Sequence, residues 1–154
     1  DSNERLVRNN LLQNRAANAK FCGLKNMYST PYEGQTMTME QLAHFPKPFD
    51  VVVLGMGNDG HTCSWFPCAK PQELEHALTT DDLCVAVTPG NAPHARISLS
   101  KAGILASRQI YLHIVGEQKL DVYRHALAND DTSEMPIRAV LDQHKTPVDV
   151  YWSA

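Results

Sequence analysis

The stretch DVVVLGMGNDGHTCSWFP, Asp50 to Pro67, decides how the chain is read. Asp50 leads into Val51, Val52, Val53 and Leu54, strand formers apolar on both faces, as expected of a central strand in a parallel sheet. The strand empties into Gly55-Met56-Gly57-Asn58-Asp59-Gly60, which satisfies G-x-G-x-x-G. In a dinucleotide-binding turn an acidic residue about 20 positions further on meets the ribose at the exit of the next strand. Asp81 and Asp82 have that spacing, but they precede the strand LCVAVT (83–88), at its wrong end. Pro67 also interrupts any helix opening on the glycines, so the order of elements disfavours a dinucleotide site.

Outward from this loop, strands and helices alternate. Upstream, Asp1 and Glu4 stand in capping-box spacing, which predicts a helix over about 3–13. AKFCGL (19–24) has the makings of a short strand, STPYEG (29–34) breaks the chain, and TMEQLAHF (38–45) reads as a short helix ending before Pro46. Downstream, the pattern predicts a helix over 71–78, the strand 83–88, and the loop PGNAPHA (89–95). An alternating segment from Arg96 to Ser100 then runs into a helix ending at Leu105. A strand QIYLHIVG (109–116), a helix 117–127, a helix opened by Pro136 and ending at Leu141, and a last strand PVDVYW (147–152) complete the order. No internal repeat appears. This alternation predicts an α/β fold, a Rossmann-like, mostly parallel sheet with helices on both faces. Ligands in such sheets gather at strand exits, which directs attention to the loops after Leu54, before Arg96 and after Val115.

The composition narrows the function classes. The 154 residues suffice for one domain with a sizeable core, and 43% hydrophobic with 20% charged residues is ordinary for a globular chain. A formal net charge of −3 offers no positive excess to neutralise nucleic-acid phosphates. Apolar runs of about six residues fall short of the roughly 20 that span a membrane, and Asp1-Ser2-Asn3-Glu4-Arg5 is too polar for a signal peptide. Cys22, Cys63, Cys68 and Cys84 show no C-x-x-C spacing, and His61, Cys63 and Cys68 match no zinc pattern. No metal site is expected, and free thiols in a reducing, cytoplasmic compartment are the default.

Asp59-Gly60-His61 at the lip of the strand carries the chemistry. Glycines let backbone approach a ligand and present N–H donors to developing negative charge. An imidazole beside them can take a proton from water near neutral pH. Cys63 is close in sequence to His61 but has no visible activating partner. His94 is a candidate to line the site, and His44, His76, His113, His125 and His144 have no converging partner. Trp65 and Phe66 are expected to pack the loop onto the sheet.

The same stretch resembles the signature loop of the 6-phosphogluconolactonases, a strand followed by Gly-Met-Gly-x-Asp-Gly-His-Thr-x-Ser-x-Phe-Pro. SNERLVRNNLL, HARISLSKAGILASRQIYLHIVGEQKLDVYRHAL and MPIRAVLDQHKTPVDVYW are similar to further blocks of that family in the same order. The resemblance implies hydrolysis of 6-phosphoglucono-1,5-lactone, a small phosphosugar lactone, to 6-phosphogluconate without a cofactor. It implies a catalytic role for His61 and Asp59, and phosphate binding by Arg96 and Lys119. Gly55, Gly57, Asn58 and Gly60 would line the substrate, with donors around Gly57 to Gly60 steadying the tetrahedral oxygen. A Ser-Gly-Gly loop and an Asp-Glu-Arg motif found upstream in the family have no counterpart. Residues 1–154 are therefore expected to form a single lactonase-like domain lacking the family's N-terminal segment, weak or inactive by itself. The rival enzymatic reading is an aminosugar-phosphate deaminase or isomerase of the same fold, whose loop continues Ile-Ala-Phe-Asn-Glu-Pro where this chain has Thr62-Cys63-Ser64-Trp65-Phe66-Pro67. The non-enzymatic rival is a domain that only binds sugar phosphates.

Overall fold

The structure is a computed structural model that describes residues 3–90 and 94–154. Asp1, expected to cap the first helix, and residues 91–93 of the PGNAPHA loop lie outside the described residues. Helix α1 (Asn3–Asn10) is shorter than its sequence pattern suggests. The N–H groups of Leu11 and Leu12 both turn back to Val7 O, and a short 3₁₀ turn at Asn14–Ala16 follows from Asn14, which takes φ 52. Residues 19–24 form no strand. Side chains tie this region to the next helix instead: Thr38 Oγ1 donates to Leu24 O at 3.1 Å, and Asn26 Nδ2 donates to Gly34 O at 2.7 Å.

Helix α2 (Pro31–Ala43) begins inside the stretch expected to break the chain. Thr30 Oγ1 accepts from the Glu33 N–H and Glu33 Oε2 accepts from the Thr30 N–H, while Pro31 takes the first helical position. Proline there sacrifices only an N–H that has no intrahelical partner, so with this capping box it starts the helix. Gly34 is tolerated inside the helix because the Asn26 amide occupies the space a Cβ would need.

Strands β1 (Val52–Leu54), β4 (Ile110–Val115) and β5 (Val148–Ser153) form a parallel sheet in the order β1-β4-β5. Leu54 is in register with Leu112, and Leu112 with Val150. The central strand of the three is β4, not β1 as its apolar run suggested; Val53 is 68% exposed at the sheet's edge. Strands β2 (Cys84–Val87) and β3 (Arg96–Leu99) stand apart as an antiparallel pair with Val87 opposite Arg96. Residues 88–95 are too few for the dozen or more that a parallel crossover needs, so the chain returns as a hairpin.

Helices α3 (Pro71–Thr79), α4 (Lys101–Leu105), α5 (Glu117–Ala126) and α6 (Arg138–Leu141) complete the fold. Ile110, Leu112 and Ile114 point alternately from β4 into a core shared with Leu54, Trp65, Val85, Ile104 and Val140. On the opposite face Val51, Val53, Val115 and Tyr151 are exposed. Among those residues no helix is long and apolar enough to cross a membrane.

Helices α2 and α3 pack on the hairpin. Gln35 Oε1 on α2 accepts from the Ala86 N–H of β2 at 2.8 Å, and Glu73 Oε2 on α3 accepts from the Thr88 N–H at 2.6 Å. Thr30→Ala, which removes the α2 cap, is expected to cost about 1 kcal/mol, read as a lower denaturation midpoint in urea at unchanged slope.

Candidate active site

Strand β1 delivers the chain at Gly55 into a loop closed by its own backbone. The Gly57 N–H donates to His61 O at 2.8 Å, and the Gly60 N–H donates to Gly57 O at 3.1 Å. Thr62 Oγ1 ties the far side to Gly55 O at 2.9 Å. Gly60 has φ 75, a conformation costly for side-chain-bearing residues, and Met135 fills the space where its Cβ would lie. Gly57 is glycine for another reason: a Cβ there would overlap His61 Nδ1. The N–H groups of Gly57 and Gly60 are engaged within the loop, which leaves the Asn58 N–H without a partner among the described residues.

Inside this loop Asp59 Oδ1 lies 2.6 Å from His61 Nδ1 and also accepts from the His61 backbone N–H at 3.2 Å. Burial alone would raise the Asp59 carboxyl, but the hydrogen bonds from the His61 ring and backbone carry it below the ordinary carboxylate range. An ionised carboxylate only accepts, so Nδ1 carries the proton and Nε2 is the basic nitrogen. The pair also links stability to pH. Its folded carboxyl is depressed, so the contribution is complete above the unfolded value of about 3.9 and is lost as pH falls through the folded value.

Phe66 and Trp65, expected to share a packing role, divide. Trp65 is fully buried and its indole N–H donates to Leu99 O at 2.9 Å, fastening the loop to β3. The Phe66 ring instead lies 4.2 Å from the His61 ring, and the Arg96 guanidinium stands over it at 5.5 Å. Arg96 opens β3 exposed and has no carboxylate partner among the described residues. Lys119, in the first turn of α5, reaches across to donate from Nζ to Met56 O at 2.6 Å. Lys119 thus reaches the loop that holds His61, and Arg96 reaches the ring that packs on His61. His94 is exposed two residues before Arg96.

Burial pushes the Cys63 thiol up to about 11, so it stays protonated at neutral pH and is no nucleophile. All four cysteines are free, and Cys68 is exposed. Among the described residues no cluster of three or more metal-ligating side chains occurs.

Sequence reading passed over Arg138. Its guanidinium is fully buried, donating to Ala126 O, Asp131 O and His125 O, and it meets Glu134 Oε2 at 2.6 Å. It thereby fixes the turn before α6, whose Met135 packs on Gly60 and whose Ile137 N–H donates to Gly60 O at 2.9 Å. The signal was present in MPIRAVL, where one arginine interrupts an apolar run. From Asn58 and Asp59 an open groove of about 450 Å³ runs along α5, past Gln118 and Asp121, to Glu134 and Met135.

Residues 1–152 match the family model described as glucosamine-6-phosphate isomerases/6-phosphogluconolactonase. The chain belongs to this family. It is 37% identical over 152 residues to the 6-phosphogluconolactonase of Pseudomonas aeruginosa, covering 99% of this chain and 63% of that protein. To the 6-phosphogluconolactonase of Mesorhizobium japonicum it is 40% identical over 154 residues, covering 99% of this chain and 63% of that one. The crystal structure of a 6-phosphogluconolactonase from Shewanella baltica OS155 superposes with a TM-score of 0.96 at 72% identity, covering 99% of this chain and 65% of that chain. The chain thus spans a little under two thirds of the relatives it matches. A monomeric glucosamine-6-phosphate deaminase of the NagB superfamily, 17% identical with a TM-score of 0.56, covers 80% of this chain and 53% of its own and shares the fold.

Within this family fold the loop geometry yields a direct check. Gly57→Ala is expected to push the imidazole off Asp59, seen as loss of the single fixed His61 tautomer in ¹⁵N NMR of the ring. A fixed tautomer that survives the substitution would show that the loop has slack at this point. Asp59→Asn is expected to be less stable than the wild type near neutral pH, with the difference in denaturation midpoint shrinking as pH falls below about 4.

Proposed function

We propose that the protein hydrolyses 6-phosphoglucono-1,5-lactone to 6-phosphogluconate. The observation that carries the reading is the Asp59–His61 pair, 2.6 Å apart at the exit of β1, with the uncompensated cation Arg96 one aromatic ring away. Family membership and the names of relatives at 37–40% identity point the same way. The relatives extend beyond the span matched here, so the proposal concerns the activity to which these residues contribute.

In the proposed reaction His61 Nε2 takes a proton from a water as that water attacks the lactone carbonyl carbon. The carbonyl oxygen becomes an oxyanion, for which the Asn58 N–H is a donor left open by the loop. As the tetrahedral centre collapses, the bond to the ring oxygen breaks and the imidazolium returns its proton to that oxygen, releasing the open-chain acid. Asp59 holds the tautomer and stabilises the imidazolium between the two transfers, without itself becoming protonated. One histidine therefore serves as base and then as acid.

The phosphate does not react, and holding it fixes the carbonyl against the water. Arg96 offers a planar fork for two phosphate oxygens, and Lys119 adds a point charge beside the first turn of α5, where free N–H groups also favour an anion. Gln118 and Asp121 in the groove beside Asp59 supply acceptors suited to sugar hydroxyls, and its carboxylates disfavour the phosphate end.

The test is hydrolysis of freshly generated lactone above its spontaneous rate. His61→Ala is expected to lower kcat by about 10² to 10⁴, and Asp59→Asn to lower it comparably with KM little changed. Arg96→Ala should act mainly on KM, raising it about 10- to 150-fold, as expected for a lost charge-assisted contact of about 1.5–3 kcal/mol. Wild-type turnover in His61→Ala would defeat the assignment.

A further inference from the structure

The site contains a connection that neither the proposed chemistry nor phosphate binding requires. Phe66 touches both ends of the machinery: its ring lies 4.2 Å from the His61 ring at an interplanar angle of 32°, and the Arg96 guanidinium carbon lies 5.5 Å from its centroid. The tilted ring-to-ring contact restricts the imidazole to a narrow range of χ2, while Asp59 fixes which nitrogen faces inward. The same ring offers its π cloud to the guanidinium, which among the described residues no carboxylate holds.

Phe66 is itself well anchored. It is half-buried against the core, follows the fully buried Trp65, and precedes Pro67, whose ring restricts the backbone at Phe66. The Trp65 indole bond to Leu99 O fastens this segment to β3, the strand that Arg96 opens. The aromatic ring and the guanidinium thus belong to one rigid unit, while His61 belongs to the loop closed by Gly57 and Gly60.

We propose that Phe66 is a positioning residue that sets the His61 imidazole against the Arg96 guanidinium, so that a phosphate gripped by Arg96 holds the reacting carbonyl in line with His61. It touches neither reacting atoms nor a proton in transit. Its contribution is to convert binding at the phosphate into alignment at the carbonyl, and to keep Arg96 extended over a ring before substrate arrives. The proposal rests on the lactonase reading for its ligand and its kinetics, while the contacts of Phe66 with His61 and Arg96 are a property of the free protein.

The experiment compares Phe66→Leu with Phe66→Tyr in the full chain, each alone and combined with Arg96→Ala. Two readouts are made without turnover: the ¹⁵N tautomer pattern of the His61 ring, and the affinity for 6-phosphogluconate by calorimetry. The third is kcat and KM on the lactone. Phe66→Leu is expected to blur the single His61 tautomer, weaken 6-phosphogluconate binding about threefold and lower kcat about tenfold. Phe66→Tyr is expected to restore all three. In the Arg96→Ala background the binding effect of Phe66→Leu should disappear, as it must if the ring acts on the ligand through that guanidinium. A binding loss of equal size with and without Arg96, or an unchanged His61 ring in a folded Phe66→Leu protein, would overturn the proposal. A wild-type protein with the expected ring and binding behaviour but no lactone turnover would instead overturn the lactonase reading and leave the positioning role standing.

Discussion

The hydrogen bond from the Gly57 N–H to the His61 carbonyl is the constraint on which the rest of the site depends. It folds five residues into a ring tight enough that Asp59 and His61, two positions apart, face each other through their side chains. A loop this tight leaves no room for a Cβ at residue 57 and forces residue 60 into the left-handed region. Gly57 is therefore demanded by the histidine's own packing, and Gly60 by the turn and by Met135, before any ligand is considered. That distinguishes this G-x-G-x-x-G from a dinucleotide turn, whose glycines make room for a pyrophosphate.

Around the loop the fold supplies three independent struts. Lys119 reaches from α5 to Met56 O, Ile137 reaches from the turn before α6 to Gly60 O, and Ser64 N–H is received by Ser98 Oγ on β3 at 3.1 Å. Each strut comes from a different layer of the molecule. The buried Arg138 stiffens the second of them by binding three carbonyls, which satisfies a charge that burial would otherwise make costly. Precision at His61 is thus distributed over the helices and the hairpin, and is not a property of the loop alone.

How much of this the residues disclose follows from the range of each interaction. The Asp59–His61 pair, the glycine loop and the strands at 52–54, 84–87, 96–99, 110–115 and 148–153 rest on local pattern, and all were legible. The start of α2 is not legible from Pro31 and Gly34, which break chains elsewhere, because the Thr30–Glu33 reciprocity is what makes this proline a first helical residue. The place of β1 at an edge and the separation of the hairpin were not legible, since an apolar run looks alike at the centre and the edge of a sheet. Phe66 is not legible because an aromatic beside a tryptophan reads as core, and only the folded chain shows that one ring turns inward and the other toward His61 and Arg96.

The struts have a temporal meaning. Lys119 and Met56 are 63 residues apart, and Ser64 and Ser98 are separated by 34. Closing such contacts carries an entropic cost that local turns avoid, so nonlocal pairings join late along a folding route. The five residues of the loop are close from the outset, but their orientation is fixed only when α5, the hairpin and the turn before α6 have all docked. The alignment of Asp59 with His61 is thereby a report on completed folding: a chain caught with any one layer undocked holds the right residues in the right order without that alignment.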